Sequence, residues 1–188
     1  MAGVKQFDEA AVMRTALDLF WRKGFAATSM PDLAEATGVQ RGSLYHAYGG
    51  KDAIFLRAFE AYADRLLGLV RAALDHPDPR AALTAFFDAV ISNMTSGEPP
   101  RGCLSTRTAV EAGGPAVQDR IRRWLAEFEA AILTALNAPP MRGLALPPPA
   151  AAELLVTFSR GLAVMERVHH DPERLRQTAR SLVAVLVP

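Results

Sequence analysis

The feature that most constrains the fold of this chain is the stretch from Ala16 to Lys51, whose sequence predicts three short, consecutive helices. The first ends at Gly24, and the second begins at a capping hydroxyl, Thr28 or Ser29. The third covers roughly residues 40–47, and only a tight turn at Gly38 and Val39 separates it from the second. This arrangement is typical of a helix-turn-helix DNA reader, in which the last short helix enters the major groove.

The remainder of the chain also has a helical pattern, since apolar residues recur every three or four positions. Asp8 can cap the first helix, a long fourth helix opens at Lys51 and ends before Pro77, and a short sixth helix runs from Cys103 to Ala112. Loops at residues 96–102 and 138–149 contain prolines that end helices. No stretch alternates with the period of two that strands require.

The fold class that we predict is therefore all-α, with about nine helices. An N-terminal three-helix DNA-binding domain would occupy residues 1–52, and a C-terminal helical bundle would occupy residues 53–188.

The composition favours a cytoplasmic protein. Half of the residues are hydrophobic, yet no apolar run is long enough to span a membrane, and Met1 to Ala10 do not resemble a signal peptide. The single cysteine, Cys103, excludes an intramolecular disulfide and fits a reducing compartment.

The net charge of +1 means that DNA binding would depend on a local basic patch. Such a patch lies between Val39 and Lys51, which contains Arg41, His46 and Lys51 but no acidic residue. We expect the following residues to face DNA, most of them positioning the protein and a few reading bases: Thr28, Ser29, Arg41, Gly42, Ser43, Tyr45, His46 and Lys51. Leu33, Val39 and Leu44 would hold the reader on the first helix, and Tyr48 is interpreted as a packing residue.

The N-terminal part of the chain, over about fifty residues, resembles the DNA-binding domain of the TetR family of transcriptional regulators. The matching residues are Ala16–Phe20, Lys23–Phe25, Thr28–Met30, Leu33–Ala34, Gly38–Val39, Gly42–Tyr45 and Lys51. The chain departs from the family pattern at Gln40, a weaker cap than Ser or Thr, and at Tyr48-Gly49-Gly50. The resemblance implies an all-helical homodimer that binds an operator, most often as a repressor, and releases it when a small molecule binds the C-terminal domain.

The resemblance also implies an effector pocket among the C-terminal helices, and an apolar or aromatic effector is expected. The candidate lining residues are Phe86, Phe87, Met94, Cys103, Arg107, Trp124, Phe128, Phe158 and Met165. Arg107 and Glu111 could anchor a polar group or simply form a surface salt bridge.

The last two helices are where the resemblance implies the dimer interface. Their apolar residues are numerous enough for an inward face and a partner face, and two such pairs would form a four-helix bundle about a two-fold axis. The candidate interface residues are Leu155, Leu162, Leu175, Leu182 and Leu186. The alternative is that these helices are buried within one subunit only.

Cys103 invites a further interpretation as a sensor of electrophiles or oxidants. It lies at the start of the sixth helix, where the helix N-terminus, Arg101 and Arg107 could lower the thiol pKa. The sequence Arg101-Gly102-Cys103-Leu104 resembles that of a TetR sub-branch that includes electrophile-responsive repressors. The alternative is a small buried cysteine without a signalling role.

Neither a metal site nor an enzyme is predicted, and no cofactor is expected. Adjacent residues such as His169 and His170 diverge on a helix, so a polar loop explains His169-His170-Asp171. The chain has no Gly-x-Ser-x-Gly elbow, Walker loop, Rossmann fingerprint or His-Glu-x-x-His motif. The remaining alternatives are a helical ligand-binding or protein-interaction bundle, and an activator that uses the same DNA reader.

Overall fold

The structure is a computed structural model that describes residues 7–97, 100–111 and 113–188. Over these residues the chain forms nine α-helices, one short 3-10 turn (Pro139–Met141) and no strand, which confirms the all-α prediction. The helices are α1 (Glu9–Lys23), α2 (Met30–Thr37), α3 (Arg41–Tyr48), α4 (Lys51–Leu74), α5 (Pro79–Thr95), α6 (Leu104–Val110), α7 (Pro115–Leu136), α8 (Pro148–His169) and α9 (Pro172–Leu186).

The ends of the first three helices follow from their capping residues. The Asp8 carboxylate accepts a hydrogen bond from the backbone N–H of Ala11, and Ser29 forms a reciprocal capping box with Asp32. Gly38 ends α2 in the left-handed conformation, with φ of 68°. Gln40 makes no side-chain capping bond, as expected for a weak cap.

Two helix boundaries differ from the prediction. Helix α6 is shorter, because Cys103 is its N-cap rather than its first residue; the predicted end at Ala112 lies outside the described residues. Helix α8 starts at Pro148, inside the predicted 138–149 loop. Proline fits the first turn of a helix, where its missing N–H leaves no bond unmade, so the last prolines of this segment start a helix.

Helix α4 joins the N-terminal helices to the rest of the molecule. It packs against α1 on one side and against α5 and α7 on the others. A series of aromatic contacts runs along it, with ring centroids 5.2 Å apart for Phe20 and Phe55, 5.5 Å for Phe55 and Phe59, and 6.1 Å for Phe59 and Trp124. The predicted domain boundary at residue 52 therefore falls in the first turn of a helix that both parts share, and the division stays a prediction.

Within the described residues, no helix is both long and apolar enough to cross a membrane.

Candidate nucleic-acid interface and buried polar cluster

Helix α3 presents most of its surface to solvent. Leu44 is fully buried and Tyr48 is half-buried, and these two side chains hold α3 on the helices beneath it. Five of the predicted contact residues are exposed here together: Arg41, Gly42, Ser43, Tyr45 and His46. The Arg41 guanidinium lies 5.5 Å from the centroid of the Tyr45 ring, so a cation–π contact links two of them.

The charge around α3 suits an anionic partner. No carboxylate occurs between residues 39 and 50, whereas Arg41 is exposed. Gln40 at the start of α3 and Gly50 at the start of α4 make no side-chain capping bond. The first N–H groups of both helices are therefore not capped by a side chain, and backbone N–H groups at a helix start are good donors to phosphate.

Thr28 does not belong to this exposed surface, and its predicted contact with DNA stays a prediction. Its side chain is 1% exposed, and its hydroxyl donates a hydrogen bond of 2.6 Å to the carbonyl oxygen of Gly24. The residue closes the turn between α1 and α2, so the hydroxyl proton that could be donated to a phosphate is already donated within the protein.

Ser29 is exposed, but its polar atoms are also engaged. Its hydroxyl accepts from the Asp32 N–H at 3.3 Å and donates to the Asp32 carboxylate at 2.6 Å. The ion pair with Lys23, at 2.7 Å, and the hydrogen bonds from Ser29 hold the pKa of Asp32 well below its usual range. A carboxylate thus already occupies the start of α2, where sequence reasoning placed a DNA phosphate.

Lys51 stabilises the DNA reader from within. Its ammonium group donates to the carbonyl oxygen of Phe25 at 3.0 Å and lies 4.4 Å from the centroid of the Phe25 ring. Lys51 therefore holds the α1–α2 loop against the start of α4. Because its ammonium group is engaged there, we favour a role in positioning the DNA-binding helices over the predicted direct contact with phosphate.

Arg107, predicted to line the effector pocket, instead contacts the end of α1. Its guanidinium donates to the carbonyl oxygens of Arg22 at 3.1 Å and Lys23 at 2.6 Å. Glu111 pairs with Arg107 at 2.8 Å and accepts from the backbone N–H of Ala26 at 3.0 Å. We call Arg107 and Glu111 the α6 clamp, because they attach α6 to the end of α1.

The predicted aromatic pocket residues come together but fill one another's space. Ring centroids are 5.0 Å apart for Phe86 and Phe87, 6.2 Å for Phe86 and Phe128, and 5.6 Å for Phe87 and Phe158. Trp124 stacks on Phe128 at 5.0 Å. The sequence pattern therefore identified a real aromatic cluster, which is closely packed in this structure.

The other pocket candidates divide between interior and surface. Met94 and Cys103 are buried, whereas Met165 is 47% exposed on the outer side of α8, so it does not line an interior pocket of its own subunit. A groove of about 750 Å³ lies elsewhere, between the end of α4 and α7, and none of the predicted pocket residues lines it.

Cys103 lies in a buried polar cluster that sequence reasoning did not identify. Its Sγ lies 3.2 Å from the Ser105 hydroxyl, 3.9 Å from the Tyr62 hydroxyl and 3.5 Å from a donating Nη1 of Arg160. Burial raises the pKa of the Cys103 thiol, but the charge of Arg160 and the Ser105 hydrogen bond more than offset this, and the pKa is lowered to about 7.

The cation beside the thiol is thus Arg160, rather than either arginine predicted from the sequence. Arg101 pairs with Asp18 at 3.4 Å, and Arg107 belongs to the α6 clamp. The available signal was an isolated arginine in the largely apolar stretch of residues 154–165. Proximity in sequence favoured the wrong residues because α8 approaches α6 only in the folded chain.

The predicted dimer residues face the interior of their own subunit. Leu155, Leu162, Leu175 and Leu186 are each at most 3% exposed, and Leu182 is half-buried. Leu155, Leu162, Leu175 and Leu186 have no surface to offer a partner because their own subunit covers them, whereas Leu182 is partly exposed.

The opposite side of α8 is exposed and carries uncharged residues. They lie one helical turn apart and are Thr157, Gly161, Val164 and Val168. Val164 is 51% exposed and Val168 is 64% exposed, and Val185 on α9 is 68% exposed. We call Val164, Met165, Val168 and Val185 the exposed apolar face.

The segment from His169 to Asp171 connects α8 to α9. His170 takes the left-handed conformation with φ of 49°, and Asp171 caps α9 by accepting from the N–H of Arg174 at 3.0 Å. Among the described residues, no three His, Cys, Asp or Glu side chains are grouped so that they could hold a metal ion.

Comparison with known proteins supports a single family. Residues 12–58 match the model of the bacterial regulatory proteins of the tetR family, and residues 79–182 match the model of the tetracyclin repressor-like C-terminal domain. The HTH-type transcriptional repressor ComR of Escherichia coli K12 is 29% identical over 183 residues, which cover 93% of this chain and 87% of that protein.

Solved structures have the same fold. A triple cysteine mutant of the TetR family regulator CifR, in complex with 26-base-pair double-strand operator DNA, aligns with a TM-score of 0.87 and 26% identity. The alignment covers 98% of this chain and all of that one. The reduced form of NemR from Escherichia coli aligns with a TM-score of 0.80 over 95% of this chain and 96% of that one. Because the two sequences are only 18% identical, this alignment supports a shared fold and nothing further.

Proposed function

Since this chain belongs to the TetR family of DNA-binding transcriptional regulators, we propose that it is a homodimeric repressor that binds a near-palindromic operator and is released by a small-molecule effector. The observation that carries this proposal is the exposed, acid-free surface of α3, with Arg41 and Tyr45 at its centre.

On this proposal, the two α3 helices of a dimer enter successive major grooves, about 34–36 Å apart. Arg41 can donate two hydrogen bonds to a guanine edge, whereas the Ser43 and Tyr45 hydroxyls suit phosphates or base edges. Ser29, Lys51 and the α6 clamp hold α2 and α1 in place behind α3. We assign supporting roles to Ser29, Lys51 and the α6 clamp because their polar atoms are hydrogen-bonded within the protein. The α3 side chains are assigned to DNA because they are exposed.

Release requires that the effector bind the non-DNA conformation more tightly, by about 1–3 kcal/mol for a useful inducer. We place the effector site in the C-terminal domain, beside the aromatic cluster and Cys103. Helix α6 offers the physical connection, since Cys103 is its N-cap and its Arg107 holds the end of α1.

The dimer is proposed to form through the exposed apolar face of α8 and α9 instead of the predicted leucines. Three valines and a methionine, each about half exposed or more, would otherwise contact water, and exposed apolar patches on small domains often mark interaction sites. The same residues from two subunits would meet about a two-fold axis in a four-helix bundle.

The proposal is tested by fluorescence anisotropy with DNA from beside the gene and with fragments selected from a random library. Arg41→Ala and Tyr45→Ala should each weaken operator binding about tenfold or more, because each removes contacts worth roughly 1–3 kcal/mol. Arg142→Ala, at an exposed arginine on the α7–α8 loop, is the matched control and should bind normally.

Far-UV circular dichroism should be unchanged in all three variants. Operator binding that survives both α3 substitutions would overturn this docking. Binding no tighter than to random DNA, for every fragment tested, would favour the helical ligand-binding or interaction bundle instead. An activator would bind in the same way, and a promoter-fusion assay with and without the protein distinguishes it from a repressor.

A further inference from the structure

A cavity of about 280 Å³ lies between α1, α4 and the loop that connects α5 to α6, and we call it the α1–α4 cavity. Helix α1 lines it with side chains spaced three or four residues apart, which share one face of the helix: Arg14, Leu17, Asp18 and Trp21. Among the described residues, Arg65 of α4 and Ser96 and Arg101 of the loop complete the lining. The cavity is therefore separate from both the aromatic cluster and the groove beside α7.

The α1–α4 cavity is more positive than the chain as a whole. Three arginines and one aspartate line it, a net charge of +2, whereas the whole chain carries +1. The carboxylate of Asp18 is shared, since it pairs with Arg22 at 2.6 Å and with Arg101 at 3.4 Å. Among the described residues, no carboxylate lies within 4.0 Å of the guanidinium of Arg14 or Arg65. The described residues thus leave positive charge in the cavity unbalanced.

Two of the three arginines are held in position by their neighbours. The Cζ atoms of Arg65 and Arg101 lie 5.9 Å and 5.5 Å from the centroid of the Trp21 ring. Arg65 Nη2 also donates to the side-chain oxygen of Asn93 at 3.1 Å. Arg101 lies so close over Gly97 that an added Cβ there would be 2.8 Å from Arg101 Nε. Because these guanidinium groups are already ordered, they lose less conformational entropy when they bind a ligand.

The position of the cavity separates it from the DNA-reading surface. Arg65 follows Lys51, the first residue of α4, by fourteen residues, which corresponds to about 21 Å along a straight helix. An anion that neutralises Arg65 is therefore a ligand other than the DNA that α3 would contact.

A phosphate group matches this arrangement better than a carboxylate does. It carries close to two negative charges at neutral pH and has three oxygens that accept hydrogen bonds, one for each arginine. A water molecule takes up about 30 Å³ of liquid, so a cavity of about 280 Å³ has room for a phosphate with a short organic chain. Leu17 and Trp21 line the same cavity and offer apolar contacts to such a chain.

We propose that the α1–α4 cavity binds a phosphate group that Arg14, Arg65 and Arg101 contact together, either inorganic phosphate or the phosphate end of a small ester. The bound group would link α1, α4 and the loop before α6. This ligand site is distinct from the effector site placed beside the aromatic cluster, and it does not rest on the proposed function.

The test is isothermal titration calorimetry of the full-length protein with inorganic phosphate and, separately, with glycerol 3-phosphate, in a phosphate-free buffer. At least one of the two should bind saturably at one site per chain, whereas sodium chloride at the same ionic strength should not. Arg14→Gln and Arg65→Gln should each weaken binding about tenfold, because each removes a charge-assisted hydrogen bond. Arg71→Gln is the matched control and should bind as the parent does, since Arg71 is an exposed arginine of α4 that does not line this cavity.

The two titrants distinguish the sources of the phosphate group. Tighter binding of glycerol 3-phosphate than of inorganic phosphate would identify an ester as the ligand and support the apolar contacts. Equal or weaker binding of the ester would identify inorganic phosphate. Arg41→Ala should bind both as the parent does, and loss of binding in this variant would place the anion on α3 and overturn the proposal.

Two other results would also overturn the proposal. One is the absence of saturable binding of either titrant to the parent protein. The other is an affinity that stays unchanged in Arg14→Gln or in Arg65→Gln, with far-UV circular dichroism showing that the variants are folded. No operator DNA is used in these titrations, so their outcome and that of the DNA-binding experiments are independent of each other.

Discussion

Thr28 and Ser29 are neighbours with the same kind of hydroxyl group, yet the fold gives them different roles. The Thr28 hydroxyl is buried and closes a turn, whereas Ser29 is exposed and caps α2 together with Asp32. Lys51 is similar, since its ammonium group is held by Phe25. At the scale of single residues, what distinguishes a potential DNA contact from a supporting residue is whether its polar atoms already have partners.

Ser29→Ala should therefore act first on stability. Loss of a Ser cap lowers the free energy of unfolding by about 1 kcal/mol, because the N–H of Asp32 loses its acceptor. Ser43→Ala, at an exposed serine on α3, is the control and should change stability by less than about 0.5 kcal/mol. Urea unfolding measures both; a Ser29→Ala protein as stable as the parent would contradict the capping role.

Asp32 should make this stability depend on pH. Its pKa is lowered in the folded protein by Lys23 and Ser29, so its contribution is present above its unfolded pKa of about 4 and is lost as the pH falls below that value. The difference in urea midpoint between the parent and Asp32→Asn should be largest near neutral pH and shrink below about pH 4. A difference that stays constant over this range would show that the charge of Asp32 is not what matters.

At the scale of elements, α6 is the shortest helix of the described chain but connects its two parts. The α6 clamp holds the end of α1, and the indole N–H of Trp21 donates to the carbonyl of Gly102 at 2.8 Å, just before α6. The clamp leaves no room at Gly24, where an added Cβ would lie 2.4 Å from Glu111 Oε1 and 2.5 Å from Arg107 Nη2.

Gly24→Ala should consequently destabilise the protein by more than about 1 kcal/mol, since φ is +90° there and the new methyl group displaces the clamp. Gly68→Ala is a matched control in an open position of α4, and it should raise stability by about 0.5–1 kcal/mol because alanine favours a helix. Thermal unfolding distinguishes the two. Equal effects of both substitutions would show that the clamp does not constrain Gly24.

At the scale of the whole molecule, the outward side of α8 and α9 remains without a partner within one subunit. Their leucines pack inwards, and the exposed apolar face points away from the core. A homodimer would bury this face and also set the distance between the two α3 helices.

If the chain forms the proposed dimer, Val164→Arg should convert it to a monomer, because a two-fold axis would bring two guanidinium groups into one apolar interface. Val110→Arg is the control, since Val110 is 84% exposed at the end of α6 and belongs to neither α8 nor α9. Light scattering coupled to size-exclusion chromatography gives the mass. A Val164→Arg protein that remains a dimer would place the interface elsewhere.

Local signals in the sequence were enough for the helices and for the DNA reader. Caps such as Asp8 and Ser29, the glycines that end helices, and the apolar spacing act within a few residues, so the sequence predicts all nine helices of the described chain. The exposure of Arg41, Ser43 and Tyr45 also follows from the local pattern, because Leu44 fixes which side of α3 is buried.

The tertiary structure alone decided the contacts between distant residues. Arg160 is 57 residues from Cys103, and Arg107 is 84 residues from the Lys23 carbonyl. Neither contact can therefore be recognised from the pattern of neighbouring residues in the sequence. Helices α8 and α9 have apolar residues on more than one side, and periodicity cannot say which side meets the core. By itself, the sequence determined the helices, most of their ends and the DNA-reading segment. Only the packing of helices against one another determined the cation beside the thiol, the clamp on α1 and the side of α8 and α9 that stays exposed.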